Sequence, residues 1–125
     1  PDPIGPGEAL FGEKFMRDVK AALRPGGVVS AQAESFILHP EYSKTQTKLF
    51  AKLFVNWGYS FFPIPSYPGG SLGVCVGSDA QSIKTPCRKP SQGMAKTLRC
   101  YTAEYHESSF AAPAYWKQFI TNMGK

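Results

Sequence analysis

Hydrophobic residues recur at three- and four-residue intervals in three stretches of this chain. The first covers residues 10–23 and ends where a cation, a proline and two glycines at 24–27 interrupt the pattern. The second covers about 40–54 and the third 113–123. Because 3.6 residues make one helical turn, these intervals place the apolar side chains on one face. The pattern predicts three amphipathic helices, and residues 92–99 are a candidate for a shorter fourth.

Three short runs rich in β-branched and aromatic residues lie at 28–33, 57–64 and 72–77. The first predicts a buried parallel strand whose polar residues fall at its carboxyl end, where open α/β sheets place their sites. Prolines and glycines separate the other two, which favours an antiparallel hairpin at the sheet edge. The polar stretch 78–90 predicts a loop. The order helix, strand, helix, strand, strand, helix is typical of the second half of an α/β sandwich.

Length, cysteines and histidines narrow the class of protein. The 125 residues are enough for one core, and no apolar run is long enough for a membrane span or marks a signal peptide. We therefore expect no membrane partner and a cytoplasmic location.

Cys75, Cys87 and Cys100 have spacings that fit neither a zinc site nor a redox pair, and His39 and His106 have no ligand partner at helical spacing. Free thiols and no bound metal are expected.

The net charge of +5 raises the question of nucleic-acid binding. Lys44, Lys48 and Lys52 recur every four residues, which puts them on one helix face, predicted to be solvated. Arg88 and Lys89 lie beside prolines in a predicted loop, without interleaved aromatic residues. The distribution argues against a nucleic-acid partner, although a basic binding module stays open as the last alternative.

Several motifs occur together in an informative order. They are Asp2-Pro3-Ile4-Gly5-Pro6 leading into Leu10-Phe11, then Gln32 and Glu34 at a strand end, then Ile64-Pro65-Ser66-Tyr67-Pro68-Gly69-Gly70 with Gly73, and finally Tyr101, His106, Phe110 and Pro113. In this order and spacing they resemble the spermidine synthase family over essentially the whole chain.

The resemblance implies an aminopropyltransferase with the α/β, Rossmann-like fold of a class I methyltransferase. This chain would supply its carboxyl-terminal half, with parallel strands plus an antiparallel edge strand. Residues 1–125 would be the carboxyl-terminal part of the catalytic domain, and an N-terminal β-domain and the donor-binding half would precede them. The implied reaction transfers an aminopropyl group from decarboxylated S-adenosylmethionine, as co-substrate, to putrescine, with no prosthetic group. The implied assembly is a homodimer or a higher homo-oligomer.

The resemblance also implies roles for individual residues. Asp2 would hold the far ammonium of the polyamine, with a turn or helix-capping aspartate as the alternative. Tyr67 would give an aromatic wall and a phenol, Gln32 and Glu34 would face the polyamine pocket through water, and Leu72 would line the methylene channel. Each of these four could instead serve the turn, a neighbouring loop or the core.

Three further residues, Pro6, Gly7 and Leu10, would contact the adenine, with core packing as the alternative. The proton-accepting aspartate of the family would lie three positions before Asp2, so we expect no catalytic residue within this chain. Pro1 and Gly7 depart from the family pattern, which more often has Ser or Thr and Ala at these places.

Three other functions stay open at this stage. A spermine synthase or a putrescine N-methyltransferase would share the scaffold, and a truncated copy could bind a full-length subunit without catalysing a reaction. Half of a parallel sheet would also expose an apolar edge, so we expect weak stability of residues 1–125 in isolation.

Overall fold

The computed structural model describes residues 4–123, which form three strands and five α-helices. In chain order the elements are α1 (Glu13–Ala22), β1 (Val29–Gln32), α2 (Pro40–Leu53), β2 (Asn56–Pro63), β3 (Ser71–Ser78), α3 (Gln92–Thr97), α4 (Ala103–Ser108) and α5 (Ala114–Asn122). Two 3₁₀ segments, Gly5–Phe11 and Pro68–Gly70, precede α1 and β3. None of the helices in the described range is long and apolar enough to cross a membrane.

The three strands form one sheet in the order β1-β3-β2. Strand β3 runs antiparallel to both neighbours, with Val29 opposite Gly77 on one side and Asn56 opposite Ser78 on the other. Strands β1 and β2 therefore point the same way, and α2 forms the crossover between them. The α/β class is confirmed, but β3 lies between the other two strands and not at the edge of this sheet. Strands β1 and β2 are thus one strand apart in the sheet, and β3, the second strand of the β2–β3 hairpin, lies between them.

An aromatic core covers the face of the sheet that α2 contacts. Phe50 of α2 and Cys75 of β3 are fully buried, and Trp116 of α5 is 1% exposed. The Trp116 ring lies 5.1 Å from the ring centroids of both Phe36 and Tyr59. Since Phe36 follows β1 and Tyr59 lies in β2, this cluster joins α5 to the loop at the carboxyl end of β1.

On the lysine face of α2, Lys48 and Lys52 are exposed, as predicted, and the face also contacts neighbouring helices. Lys52 Nζ lies 2.9 Å from Glu13 Oε2 of α1. Lys44 and Lys48 place their ammonium groups 5.8 and 5.9 Å from the centre of the Phe119 ring of α5. A four-residue spacing identifies a face, but it does not show which neighbouring helices lie against it.

Helix α4 was not predicted. It begins after Thr102, whose Oγ1 accepts a hydrogen bond from Tyr105 N at 3.0 Å. A threonine before a short helical run is a recognised start signal, so the sequence did carry this information. The other difference is at the first helix, where Gly12 is extended and separates the 3₁₀ turn from α1.

The net positive charge of the chain comes from one segment. Residues 80–103 contain five cationic side chains and no acidic one, so cations and acids balance in the rest of the sequence. All five are exposed: Lys84, Arg88, Lys89, Lys96 and Arg99. We call residues 80–103 the basic segment.

Candidate active site

A cleft of about 590 Å³ lies at the carboxyl end of β1, between the loop that follows this strand and the β2–β3 hairpin loop. Its lining is mixed, with one carboxylate, one imidazole, two phenols, three hydroxyls and three apolar side chains. The lining residues are Ile4, Glu34, Ser35, Leu38, His39, Tyr42, Ser66, Tyr67, Pro68 and Ser71. This position agrees with the prediction that the site lies where β1 ends.

The loop after β1 turns sharply at Glu34, whose φ of 58° is the only positive φ of a non-glycine residue within 4–123. The Tyr59 hydroxyl donates a hydrogen bond to the Glu34 carbonyl and accepts one from Phe36 N at 3.1 Å. Burial raises the pKa of the Tyr59 phenol above its ordinary value, so the hydroxyl keeps its proton. The core thus holds Glu34, whose carboxylate lines the cleft, in a backbone conformation that an L-residue rarely adopts.

A glycine makes room for this arrangement. Gly73 N donates to the Glu34 carbonyl at 3.1 Å, and Gly73 O accepts from Ala33 N at 2.9 Å, which extends the β1–β3 pairing into the loop. A Cβ at Gly73 would overlap the Tyr59 hydroxyl. Gly73 is therefore needed for the close approach of Tyr59 to the Glu34 turn.

The hairpin loop that carries Tyr67 is held by backbone hydrogen bonds. Ile64 N donates to Gly70 O at 2.9 Å, Tyr67 N to Ile64 O at 3.0 Å, and Gly70 N to Tyr67 O at 2.8 Å. Gly69 and Gly70 both have positive φ, so the tight reversal falls on residues that tolerate it. Tyr67 is 38% exposed and borders the cleft opposite the Glu34 loop.

Two of the predicted substrate residues, Glu34 and Tyr67, thus lie together on the cleft. Gln32 does not line it, but Gln32 Nε2 donates to Glu34 Oε1 at 2.6 Å and orients that carboxylate. Leu72 is buried, and alternation along β3 turns it to the sheet face opposite Ser71. The apolar side chains of the cleft lining are those of Ile4, Leu38 and Pro68.

The remaining predicted residues belong to the opening segment. Pro6, Gly7 and Leu10 lie in the 3₁₀ turn, where Pro6 is exposed, Gly7 is partly buried and Leu10 is 40% exposed. None of the three lines the cleft. Asp2 lies outside the described residues.

Five polar lining residues were not predicted: Ser35, His39, Tyr42, Ser66 and Ser71. Serines 66 and 71 flank the predicted Tyr67 in the hairpin, so their neighbourhood was a usable signal. His39 and Tyr42 come from the start of α2, and a helix that begins beside a strand end brings its first turn to the same site. No periodic pattern distinguishes such residues from ordinary helix positions.

The charges at the cleft favour a cation. Within residues 4–123, Glu34 is the one acidic residue of the lining, and no lysine or arginine lines the cleft. The basic segment contributes no lining residue either. Among residues 4–123 no cluster of three or more His, Cys, Asp or Glu side chains is arranged to hold a metal ion.

The model of the spermine/spermidine synthase domain matches residues 1–86. The chain belongs to the spermine/spermidine synthase family. It is 40% identical over 114 residues to a spermidine synthase of Dictyostelium discoideum, which covers 91% of this chain and 40% of that protein. It is 36% identical over 123 residues to a polyamine aminopropyltransferase of Leptospira biflexa, which covers 98% and 43% of the two chains.

A solved structure of the family has the same fold. A spermidine synthase in complex with the transition state analogue AdoDATO superposes with a TM-score of 0.79 at 23% identity, over 98% of this chain and 42% of that one. The predicted methyltransferase-like fold class is therefore confirmed. The chain spans about two fifths of the length of the family members that it matches.

Proposed function

We propose that this chain supplies part of the acceptor site of a spermidine synthase that transfers an aminopropyl group from decarboxylated S-adenosylmethionine to putrescine. Membership of the family supports the type of reaction. The observation that carries the choice of an amine substrate is Glu34, the one carboxylate that residues 4–123 contribute to the cleft, held at a φ of 58° in a lining that also contains Tyr67. An unfavourable backbone conformation that the core maintains is a frequent property of functional sites.

The chemistry asks for such a site. A neutral primary amine of putrescine attacks the methylene carbon bound to the sulfonium of the donor. A C–N bond forms, the C–S bond breaks, and its electron pair stays on sulfur, which leaves methylthioadenosine as a neutral thioether. Because a primary amine is protonated near pH 7, it first gives one proton to a carboxylate, which we assign to an aspartate upstream of Pro1. The nitrogen that has formed the new C–N bond then carries the positive charge that the sulfonium loses. The second amine of putrescine stays charged and needs acceptors that fix its position.

The individual roles follow from this assignment. Asp2 and Glu34 contribute negative charge for the amine, Gln32 orients Glu34, and Tyr67 covers the methylene chain. Leu72 supports the hairpin from within the sheet.

Residues Pro6, Gly7 and Leu10 form the edge that contacts the adenine of the donor.

We further propose that the complete protein acts in the cytoplasm as a homodimer. Light scattering on the complete protein measures its oligomeric state, and a monomer would contradict the dimer.

The test uses the complete polypeptide that contains this chain. Methylthioadenosine release is measured by chromatography with decarboxylated S-adenosylmethionine and putrescine, and we expect turnover. Release with spermidine but not putrescine would indicate a spermine synthase. Methyl transfer from S-adenosylmethionine would indicate an N-methyltransferase. Absence of any transfer, together with binding to a full-length family member, would replace the proposal with a non-catalytic role.

A matched pair of variants tests the Glu34 assignment. Glu34→Gln keeps the size of the side chain and removes its charge, so kcat/KM for putrescine should fall by roughly ten-fold or more, the size of one charge-assisted hydrogen bond. Glu41→Gln removes an exposed carboxylate of α2 that binds Lys44 at 2.7 Å outside the cleft. This control should leave kcat/KM unchanged, and equal losses in both variants would refute a specific role of Glu34.

A further inference from the structure

Tyr42 projects from the start of α2 into the lining of the cleft. Its ring packs edge-on against Phe11, with centroids 6.1 Å apart and an interplanar angle of 67°. The segment before α1 thus fixes the ring position of a residue that contributes to the cleft lining.

The Tyr42 hydroxyl has no hydrogen-bond partner within residues 4–123, although its oxygen is shielded from solvent. Buried polar atoms are nearly always paired, so an orphan hydroxyl requires an explanation. Gln46 Oε1 and Trp116 Nε1 are the other orphan side-chain atoms of the described residues, and neither residue lines the cleft. The orphan at Tyr42 is therefore the one that a ligand in the cleft could satisfy.

The surroundings of Tyr42 indicate what this ligand must be. Burial, and after it the Glu34 carboxylate, raises the pKa of the Tyr42 phenol above its ordinary value, so the group stays neutral and its oxygen can accept a hydrogen bond. An ammonium group has three N–H donors and would satisfy both the phenol oxygen and the carboxylate. An alkyl end of a ligand would satisfy neither.

We propose that the Tyr42 hydroxyl, together with Glu34, binds the ammonium group of the diamine that does not react. Two acceptors stabilise the charged form of an amine, which suits the end that stays protonated and opposes the end that must lose a proton to attack. This inference rests on the proposed function and adds a specificity residue to it. The site would prefer a diamine to a monoamine of the same length.

The test is Tyr42→Phe in the complete polypeptide, with Tyr105→Phe, a 41% exposed phenol of α4, as the matched control. We expect kcat/KM for putrescine to fall about 10- to 100-fold, the value of a hydrogen bond to a charged group. The KM of the donor should not change. With butan-1-amine the reacting end is the one amine present, so kcat/KM for this substrate should be the same in the wild type and in Tyr42→Phe.

Two further measurements separate this role from a structural one. Without ligand, the urea midpoint of Tyr42→Phe should equal or exceed that of the wild type, because the variant removes an unpaired buried hydroxyl. A lower midpoint, an unchanged putrescine kcat/KM, or an equal loss with butan-1-amine would overturn the assignment. Calorimetry of putrescine binding distinguishes failure of the proposed function from failure of this inference. If the wild type binds putrescine but transfers nothing, the proposed reaction is wrong. If Tyr42→Phe binds putrescine as tightly as the wild type does, the inference is wrong.

Discussion

The hydroxyl of Tyr59 offers the sharpest test of how the fold holds the cleft. Tyr59→Phe keeps the ring that packs against Phe36 and Trp116 and removes one oxygen. That oxygen makes two hydrogen bonds, one to the Glu34 carbonyl and one from Phe36 N at 3.1 Å. The variant therefore changes the support of the Glu34 turn without opening a large cavity.

The expected magnitude follows from what each partner retains. The Glu34 carbonyl still accepts from Gly73 N at 3.1 Å and from Ser43 Oγ at 3.4 Å, so it stays paired. The amide of Phe36, a residue 5% exposed, is left without its acceptor. An unpaired buried donor costs about 1–3 kcal/mol, and we expect the free energy of unfolding to fall by about 2 kcal/mol.

Urea unfolding of the complete polypeptide, followed by circular dichroism, measures this loss. Tyr115→Phe is the matched control, since that phenol lies on α5 and its residue is 54% exposed. The control should change the free energy of unfolding by less than about 0.5 kcal/mol. If Tyr59→Phe is as stable as this control, the hydroxyl does not support the Glu34 turn and the explanation of its positive φ is wrong.

Two further predictions concern the core. Trp116→Ala should lower the free energy of unfolding by about 3–5 kcal/mol, because a side chain 1% exposed is removed from an aromatic cluster, and a loss below about 1 kcal/mol in urea would contradict this packing. Burial raises the pKa of the Cys75 thiol to about 12. Because the unfolded thiol ionises near pH 9, stability should be constant below about pH 9 and fall by up to ~1.4 kcal/mol per pH unit up to about 12. Cys75→Ala should remove this part of the pH dependence, and in the native protein a thiol reagent should label exposed Cys87 and Cys100 long before Cys75.

The sequence predicted the elements near the site better than their arrangement. Helix α2 and strands β2 and β3 were placed within one or two residues, because periodicity and the flanking prolines and glycines are local signals. The position of β3 between its neighbours is not local. A hairpin requires that β2 and β3 pair, but it does not determine whether β1 pairs with the free edge of β3 or with the free edge of β2.

The candidate site shows the same limit. Glu34 and Tyr67 were predicted as substrate residues because they belong to motifs that resemble a family, and both line the cleft. Tyr42 was missed because its significance depends on an unpaired hydroxyl, and pairing exists only in three dimensions. Leu72 was predicted either to line the methylene channel or to pack in the core; it is buried and does not line the cleft, and the hairpin register that decides this is not visible in the sequence.

The basic segment shows that the isoelectric point of the chain and the charge of the cleft depend on different residues. The isoelectric point near 9.2 is set by residues that contribute nothing to the cleft lining. Substitutions among these exposed side chains could make the protein acidic while Glu34 and Tyr42 keep their surroundings. The net charge of this chain is therefore free to change during divergence, and a basic and an acidic homologue could have the same cleft lining.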